Sequence, residues 1–304
     1  MSNSATEARH GKADGLDMRQ PAEILQLLAT GQQQAAKVVD HAIPAIAQAA
    51  EVVASTLRSG GKLVYAGAGS SGLMAMADAL ELPGTYGIPR EQIVLLFAGG
   101  ISSLVDMEGA PEDDVVLAEK DAAVIGPGDC VFAASVSGST PYTLAVANLA
   151  HQRGARLVAM ANNAGAELFR KADVAILLET PPEVVAGSTR MGAATAQKMA
   201  FNMLSTLAAV KLGHVHDGHM VNLRVDNEKL RARAARMVAE IAGIDVAEAR
   251  SWMASAQGSV KIAVLLAAGA SGTEAAKALL ARSGEVLRVA LDELQATKSS
   301  MKRA

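Results

Sequence analysis

The chain has 304 residues, of which 50% are hydrophobic, so it is long enough to build one large or two modest domains around apolar cores. The net charge of −3 and the aromatic content of 3% argue against a basic nucleic-acid surface and against a base-stacking platform. No uninterrupted apolar run approaches the roughly 20 residues of a membrane span, and the polar segment 1–17 has no apolar signal core. We therefore expect no nucleic-acid or membrane partner and a cytoplasmic location.

Helical spacing of apolar residues predicts two or three helices between Pro21 and Leu57, with an end or a kink at Pro44. From Lys62 the pattern changes to short apolar runs separated by helix-length segments, which is typical of strands buried on both faces. Alternating strands and helices predict an α/β fold with a parallel, doubly wound sheet. The predicted strands are Leu63–Ala66, Ile93–Ala98, Cys130–Ser135, Leu157–Ala161 and Val174–Leu178.

The last third of the chain is predicted to be helical. A long helix over Ser188–Leu212 is followed by a polar stretch and then by four shorter helical segments separated by glycines. The first of these is Asn227–Ile241. The other three are Val246–Ala254, Ser259–Ala268 and Thr273–Leu280, and this tail predicts a small helical bundle with a separate domain that starts near Gly243.

A glycine and serine run, Gly67–Gly72, joins the first predicted strand to a helix. Backbone N–H groups and the positive end of the helix dipole make such a turn an anion site, and the hydroxyls of Ser70 and Ser71 add donors. The spacing also fits the dinucleotide-binding pattern of glycines. That pattern asks for an acidic residue at the end of the next strand, where this chain has Gly99 and Gly100.

A second hydroxyl-rich turn follows the third predicted strand. Its residues suit a phosphate monoester, whose oxygens accept several hydrogen bonds without a metal. An ordinary helix N-cap is the alternative, because serine and threonine are preferred there. The turn comprises Ser135, Val136, Ser137, Gly138, Ser139 and Thr140.

Two glutamates are candidates for proton transfer. Glu81 stands between leucines at the end of the helix that begins at the first turn, and Glu112 follows the loop and helix after the second strand. A partly buried carboxylate has a raised pKa that suits acid–base chemistry. The alternatives are a surface residue for Glu81 and a helix N-cap for Glu112, and both stay open at this point.

The close spacing of His214, His216 and His219 suggests a metal site. No thiolate or carboxylate pattern completes such a site, so a solvated turn is favoured. The single cysteine, Cys130, lies in an apolar run and is predicted to be a core thiol. We expect no metal ligands and no cofactor.

Through nearly its whole length the chain resembles the N-acetylmuramic acid 6-phosphate etherases of the sugar-isomerase (SIS) superfamily. The segments that carry the resemblance are Thr6-Glu7-Ala8-Arg9, Gly67–Gly72, Ser137–Tyr142, Glu183–Arg190, Thr195–Met199 and Asn227–Leu230.

The resemblance implies a three-layer SIS-type fold with a five-stranded parallel sheet, a small C-terminal helical bundle, a homodimer, and a phosphosugar site that the partner subunit partly completes. The implied organisation is an N-terminal arm with helices (1–60), a phosphosugar-binding SIS domain (61–242) and a helical domain (243–304). The implied substrate or phosphate contacts are Gly69, Ser70, Ser71, Ser135, Ser137, Gly138, Ser139, Thr140, Glu183, Ser188 and Thr189.

The implied reaction is cleavage of the D-lactyl ether of N-acetylmuramic acid 6-phosphate to N-acetylglucosamine 6-phosphate and D-lactate. Glu112 would remove the C2 proton, and Glu81 would protonate the departing oxygen. The chain has Leu73 and Ser139 where the family usually has arginine. Two alternatives therefore stay open: a SIS isomerase or lyase for another phosphosugar, and a phosphosugar-sensing regulatory protein.

Overall fold

The computed structural model describes residues 5–107 and 109–301. These residues form two compact units. The first contains the chain up to Leu80 together with Glu91–Leu207, and the second contains Glu81–Arg90 and the chain from Ala208 onward. The three-part division at residues 60 and 242 stays a prediction, and residues 1–4, 108 and 302–304 of it lie outside the described part.

Helices and strands alternate through the first two thirds of the chain, after which the described residues are helical. The order is α1 (Pro21–Lys37), α2 (Val39–Arg58), β1 (Leu63–Gly67), α3 (Gly69–Tyr86), β2 (Ile93–Phe97), α4 (Val115–Asp121), β3 (Cys130–Ala134), α5 (Pro141–Gln152), β4 (Arg156–Ala161), β5 (Val174–Leu177), α6 (Gly192–Lys211), α7 (Glu228–Ala242), α8 (Val246–Ser255), α9 (Val260–Ala267), α10 (Thr273–Arg282) and α11 (Leu287–Met301).

The five predicted strands form one parallel sheet in the order β2-β1-β3-β4-β5, which confirms the predicted α/β class. The chain leaves β1 towards β2 on one side and returns to β3 on the other. The strand order therefore reverses between β1 and β3, and this is where ligands bind in open α/β sheets. The register pairs Gly67 with Ala134, so the turns after these two strands begin side by side.

The sheet is buried on both faces. On one face, alternate strand residues such as Val64, Val131 and Leu157 pack with Tyr142 and Val146 of α5. On the other face, Tyr65 and Phe132 contact Phe201 of α6, with ring centroids 4.5–5.9 Å apart. Apolar packing on both sides explains why the strands are continuous apolar runs.

A buried carboxylate fixes α3 to the sheet and to α6. Asp78 is 4% exposed and accepts hydrogen bonds from the Tyr65 hydroxyl (2.6 Å), Asn202 Nδ2 (2.7 Å) and the Ser205 hydroxyl (2.9 Å). Burial, followed by the charge of Asp78, raises the pKa of Tyr65 well above its usual value. Three donors satisfy one desolvated charge, so the network orients the helix that begins at the first turn.

The second unit has its own apolar core, which includes Val238, Val264 and Leu265. Side chains at the N-caps start three of its helices: Asn227, Asp245 and Ser259 each accept the backbone N–H three residues ahead. The predicted helices are confirmed with small shifts at their ends, but α11 has no counterpart in the sequence-based prediction. Across the described residues, no helix combines the length and apolarity needed to cross a membrane.

Two helices run through a proline. Pro44 does not end a helix, because α2 runs through it from Val39 to Arg58 and the break comes at Val38. Pro44 stands in the second turn, where the only backbone bond it removes is the one to Asp40. Pro83 likewise lies inside α3, so Glu81 is not at the end of its helix.

If Asp78 fixes α3, replacing it should destabilise the protein strongly. We expect Asp78→Ala to lower the free energy of unfolding by about 3 kcal/mol, since three buried or partly buried donors lose their acceptor. Tyr65→Phe, which removes one of the three bonds, should cost about 1–2 kcal/mol. Urea unfolding measures both, with exposed Asp17→Ala as control. An Asp78→Ala midpoint equal to the wild-type value would contradict this role.

Candidate active site

The turns after β1 and β3 form two walls of a cleft of about 360 Å³ in the first unit. The cleft lies at the carboxyl edge of the sheet, where its strand order reverses. Its lining is polar and rich in hydroxyl groups: Thr6, Glu7, Ala68, Gly69, Ser70, Ser71, Met107, Glu112, Ser135, Val136, Ser137, Thr140 and Thr189.

The first turn has the backbone shape of an anion site. Gly69 has φ +50° and begins α3, so free N–H groups at the helix start are next to the cleft. Gly72 lies against the ring of Phe97, where a Cβ atom would come within 2.6 Å of the ring. Both glycines are therefore required by the close approach of neighbouring atoms.

The second turn is a network of hydroxyls. Ser135 Oγ accepts the N–H of Gly138 at 3.0 Å and lies 2.8 Å from Thr140 Oγ1 and 3.2 Å from Ser137 Oγ. Gly138 has φ +70°, and a side chain there would collide with Ala166. These bonds hold three hydroxyls at the start of α5 in one arrangement, which suits a tetrahedral anion.

Glu112 stands directly over the first turn. A methyl group at Gly69 would lie 2.7 Å from Glu112 Oε1, so the absence of a side chain at Gly69 makes room for this carboxylate. Burial, and secondarily the charge of Asp113, raises the pKa of Glu112. A half-buried carboxyl group with a raised pKa beside an anion site is suited to take up a proton.

The N-terminal arm closes a third side of the cleft. Thr6 is 1% exposed, and its hydroxyl accepts a hydrogen bond from Asn163 Nδ2 at 3.1 Å. The same amide donates to the Val136 carbonyl at 3.0 Å, so the arm is tied to the hydroxyl-rich turn. Thr6 and Glu7 belong to a segment that carries the family resemblance, but their place in the lining was not predicted, because Thr6 and Asn163 are 157 residues apart.

Of the residues proposed from the sequence, eight line the cleft: Gly69, Ser70, Ser71, Glu112, Ser135, Ser137, Thr140 and Thr189. Gly138 and Ser139 stabilise the turn through hydrogen bonds. The N–H of Gly138 donates to Ser135 Oγ, and the hydroxyl of Ser139 donates to Ser137 Oγ. Their assignment as direct contacts stays a prediction.

Three of the proposed residues lie away from the lining. Both carboxylate oxygens of Glu183 accept backbone N–H groups of Gly192 and Ala193, which caps α6. Ser188 precedes Thr189 in the same segment but does not line the cleft. Glu81 is exposed on α3, which agrees with the surface-residue alternative, and it is not among the residues that line the cleft. The roles assigned to these residues stay predictions.

The histidine segment lies in the second unit. Asp217 and Gly218 form the exposed turn that we expected, but His214 Nδ1 is buried without a hydrogen-bond partner and His216 is 8% exposed. Burial, helped by the charge of Lys261, lowers the pKa of His214 to about 4 and keeps it neutral. Within residues 5–107 and 109–301, no three His, Cys, Asp or Glu side chains are grouped to hold a metal ion.

Two further features carry no chemistry of this kind. Cys130 is buried in β3, as predicted, and burial raises the pKa of its thiol to about 12. A cavity of about 420 Å³ in the second unit is larger than the cleft. Its lining is mainly apolar, and its polar side chains are Glu228, Arg231, Arg250 and Gln257, with no hydroxyl group among them. The hydroxyl-lined cleft is therefore the candidate active site.

Comparison with known proteins agrees with this geometry. A family model described as "SIS domain" matches residues 28–162, which include both turns. An N-acetylmuramic acid 6-phosphate etherase from Symbiobacterium thermophilum is 41% identical over 261 residues, covering 86% of this chain and 87% of the relative. One from Deinococcus radiodurans is 39% identical over 287 residues, covering 93% and 94%. The chain belongs to the N-acetylmuramic acid 6-phosphate etherase family.

The fold of this etherase family member is also found among solved structures. A putative phosphosugar isomerase involved in capsule formation from Bacteroides fragilis superposes with a TM-score of 0.50 at 22% identity, covering 66% of this chain and 95% of that one. This likeness confirms the SIS-type fold that the sequence predicted.

The geometry around Glu112 predicts a pH effect. If ionised Glu112 is the base, activity rises with pH through its pKa, and Asp113 moves that rise to higher pH. Asp113→Asn removes the second charge, so the acidic limb of kcat/KM should shift down by about 0.5 pH unit. High salt should reduce the difference in the pH of the acidic limb between the wild-type protein and Asp113→Asn, because it screens the charge of Asp113. An unchanged acidic limb would contradict the assignment of that limb to Glu112.

Proposed function

We propose that this protein is an N-acetylmuramic acid 6-phosphate etherase, a carbon–oxygen lyase that releases D-lactate and forms N-acetylglucosamine 6-phosphate. The observation that carries the proposal is the cleft itself: two hydroxyl-rich strand-to-helix turns meet beside one carboxylate with a raised pKa, in a chain of this family. The cleft can hold a phosphosugar and place an acid–base group beside it.

The phosphate group of the substrate is proposed to bind Ser71, Ser135, Ser137 and Thr140. Among the described residues that line the cleft, none is lysine or arginine. Binding would then rest on hydroxyls, backbone N–H groups and the starts of α3 and α5. Leu73 and Ser139, which stand where the family usually has arginine, fit this uncharged mode of binding.

The lactyl oxygen at C3 is a poor leaving group. The proposed mechanism therefore begins by making the proton on the neighbouring carbon, C2, acidic. Opening of the sugar ring exposes an aldehyde at C1. Glu112 takes the C2 proton, the C2–C3 double bond forms, and the C3–O bond breaks as Glu81 protonates the lactyl oxygen. Water then adds at C3 with Glu81 as base, and Glu112 returns a proton to C2.

Glu81 must reach the ether oxygen for this mechanism to operate. Glu81 is exposed and is not among the residues that line the cleft of its own chain, so in the proposed mechanism it acts on a substrate bound in the cleft of a second subunit. We propose a homodimer in which the partner subunit completes the site. We also infer a cytoplasmic role in peptidoglycan recycling, since the product is a phosphorylated amino sugar.

Lactate release by carboxylate variants tests the function. Wild-type protein should release D-lactate from N-acetylmuramic acid 6-phosphate, and Glu81→Gln and Glu112→Gln should each lower kcat by about 10²–10⁴-fold because one proton transfer is lost. Glu119→Gln, an exposed glutamate on α4, is the matched control and should be unaffected.

Two outcomes would contradict the proposal. No lactate from the wild-type protein would leave the isomerase, lyase or sensor alternatives, and isomerisation or binding of other hexose 6-phosphates would then separate them. Undiminished lactate release by both glutamine variants would instead reject the two-glutamate mechanism.

A further inference from the structure

The cleft contains a second carboxylate that the mechanism above does not use. Glu7 lines the cleft together with Glu112, and a methyl group at Gly187 would lie 3.6 Å from Glu7 Oε2. Within the part of the chain that the structure describes, no hydrogen bond or ion pair engages the Glu7 side chain. Its charge is therefore free to act on whatever occupies the cleft.

The backbone of Glu7 is held at the cleft by the contacts of its neighbour Thr6. Its neighbour Thr6 is buried and bonded to Asn163, which in turn holds the carbonyl of Val136 in the hydroxyl-rich turn. Residues Ala5–Glu7 form a short helical turn, so anchoring Thr6 fixes the backbone of Glu7 at the cleft. The anchored backbone keeps the exposed side chain of Glu7 within reach of a substrate in the cleft.

The proposed reaction, on which this inference rests, needs a proton transfer that Glu81 and Glu112 do not supply. Before the C2 proton becomes acidic, the ring has to open: O1 loses a proton, and O5 gains one. Glu7 and Glu112 are the only acidic or basic side chains among the described residues that line the cleft. Glu112 must be ionised and at C2 for the following step, which leaves Glu7.

We propose that Glu7 is a third catalytic carboxylate, which opens the sugar ring. Its carboxylate takes the proton from the O1 hydroxyl, the O1 electron pair forms the C1=O1 double bond, and the C1–O5 bond breaks. The protonated carboxyl group then delivers its proton to O5. Glu7 ends ionised, as it began, and no oxidant, metal or further reactant is consumed.

A substrate that is already open separates this role from the others. The elimination intermediate, the open-chain 2,3-unsaturated aldehyde of N-acetylglucosamine 6-phosphate, needs only hydration. Glu7→Gln should lower kcat for lactate release from the closed sugar by about 10²–10⁴-fold and leave hydration of the open-chain aldehyde unchanged. Glu112→Gln should lower both rates, because the C2 proton is transferred in each reaction.

Two further variants separate chemistry from binding and folding. Glu7→Asp keeps a carboxylate and should recover part of the lactate release that Glu7→Gln loses. Thermal unfolding of Glu7→Gln should match the wild type, since no described side chain depends on Glu7.

Three results would overturn the assignment. A raised KM with unchanged kcat in Glu7→Gln would make Glu7 a binding residue only. Equal losses in lactate release and hydration would place it in a later step, and no loss would remove it from the reaction. An inactive wild-type protein would overturn the proposed function and this inference with it.

Discussion

The pairing of β1 with β3 is the constraint on which the site depends. Because these parallel strands are in register from Leu63 with Cys130 to Gly67 with Ala134, the two turns that follow them start at the same height of the sheet. One turn supplies glycines and the start of α3, and the other supplies three linked hydroxyls. Neither turn alone distinguishes a phosphosugar site from an ordinary helix start, but their adjacency creates a cleft with donors on two sides.

The electrostatics of the cleft favour proton transfer over charge neutralisation. The described lining residues include two carboxylates and no lysine or arginine. A cation near Glu112 would stabilise its ionised form and lower its pKa, whereas burial and Asp113 raise it. The proposed binding of phosphate by neutral donors would therefore leave the basicity of Glu112 intact.

Local sequence was sufficient to predict the strands, most of the helices and both turns. Continuous apolar runs bounded by glycine predict buried strands from local sequence alone. The serine-rich turns at the ends of two strands were then identified as candidate binding loops, because ligands bind at the carboxyl edge of such a sheet. Asn227, Asp245 and Ser259 cap their helices through bonds three residues away, which also lie within reach of local prediction.

Contacts between distant residues could not be predicted in this way. Nothing near Thr6 signals its bond to Asn163, and nothing near Asp78 signals its bonds to Asn202 and Ser205. The pKa of His214 is lowered by burial and, secondarily, by the charge of Lys261, which belongs to α9 and lies 47 residues further along the chain. Glu183 shows a different limit of sequence patterns. It belongs to a segment that carries the family resemblance and was proposed as a substrate contact, but its carboxylate caps α6.

The fate of the hydrogen at C2 tests the central claim that Glu112 removes this proton before the ether breaks. N-Acetylmuramic acid 6-phosphate would be converted in D2O, and the N-acetylglucosamine 6-phosphate product analysed by proton NMR and mass spectrometry. The elimination and hydration mechanism predicts deuterium at C2 of the product, because the abstracted proton exchanges with solvent before C2 is protonated again. A product that keeps hydrogen at C2 throughout would show that the ether is cleaved without an acidic C2 proton and would contradict the account.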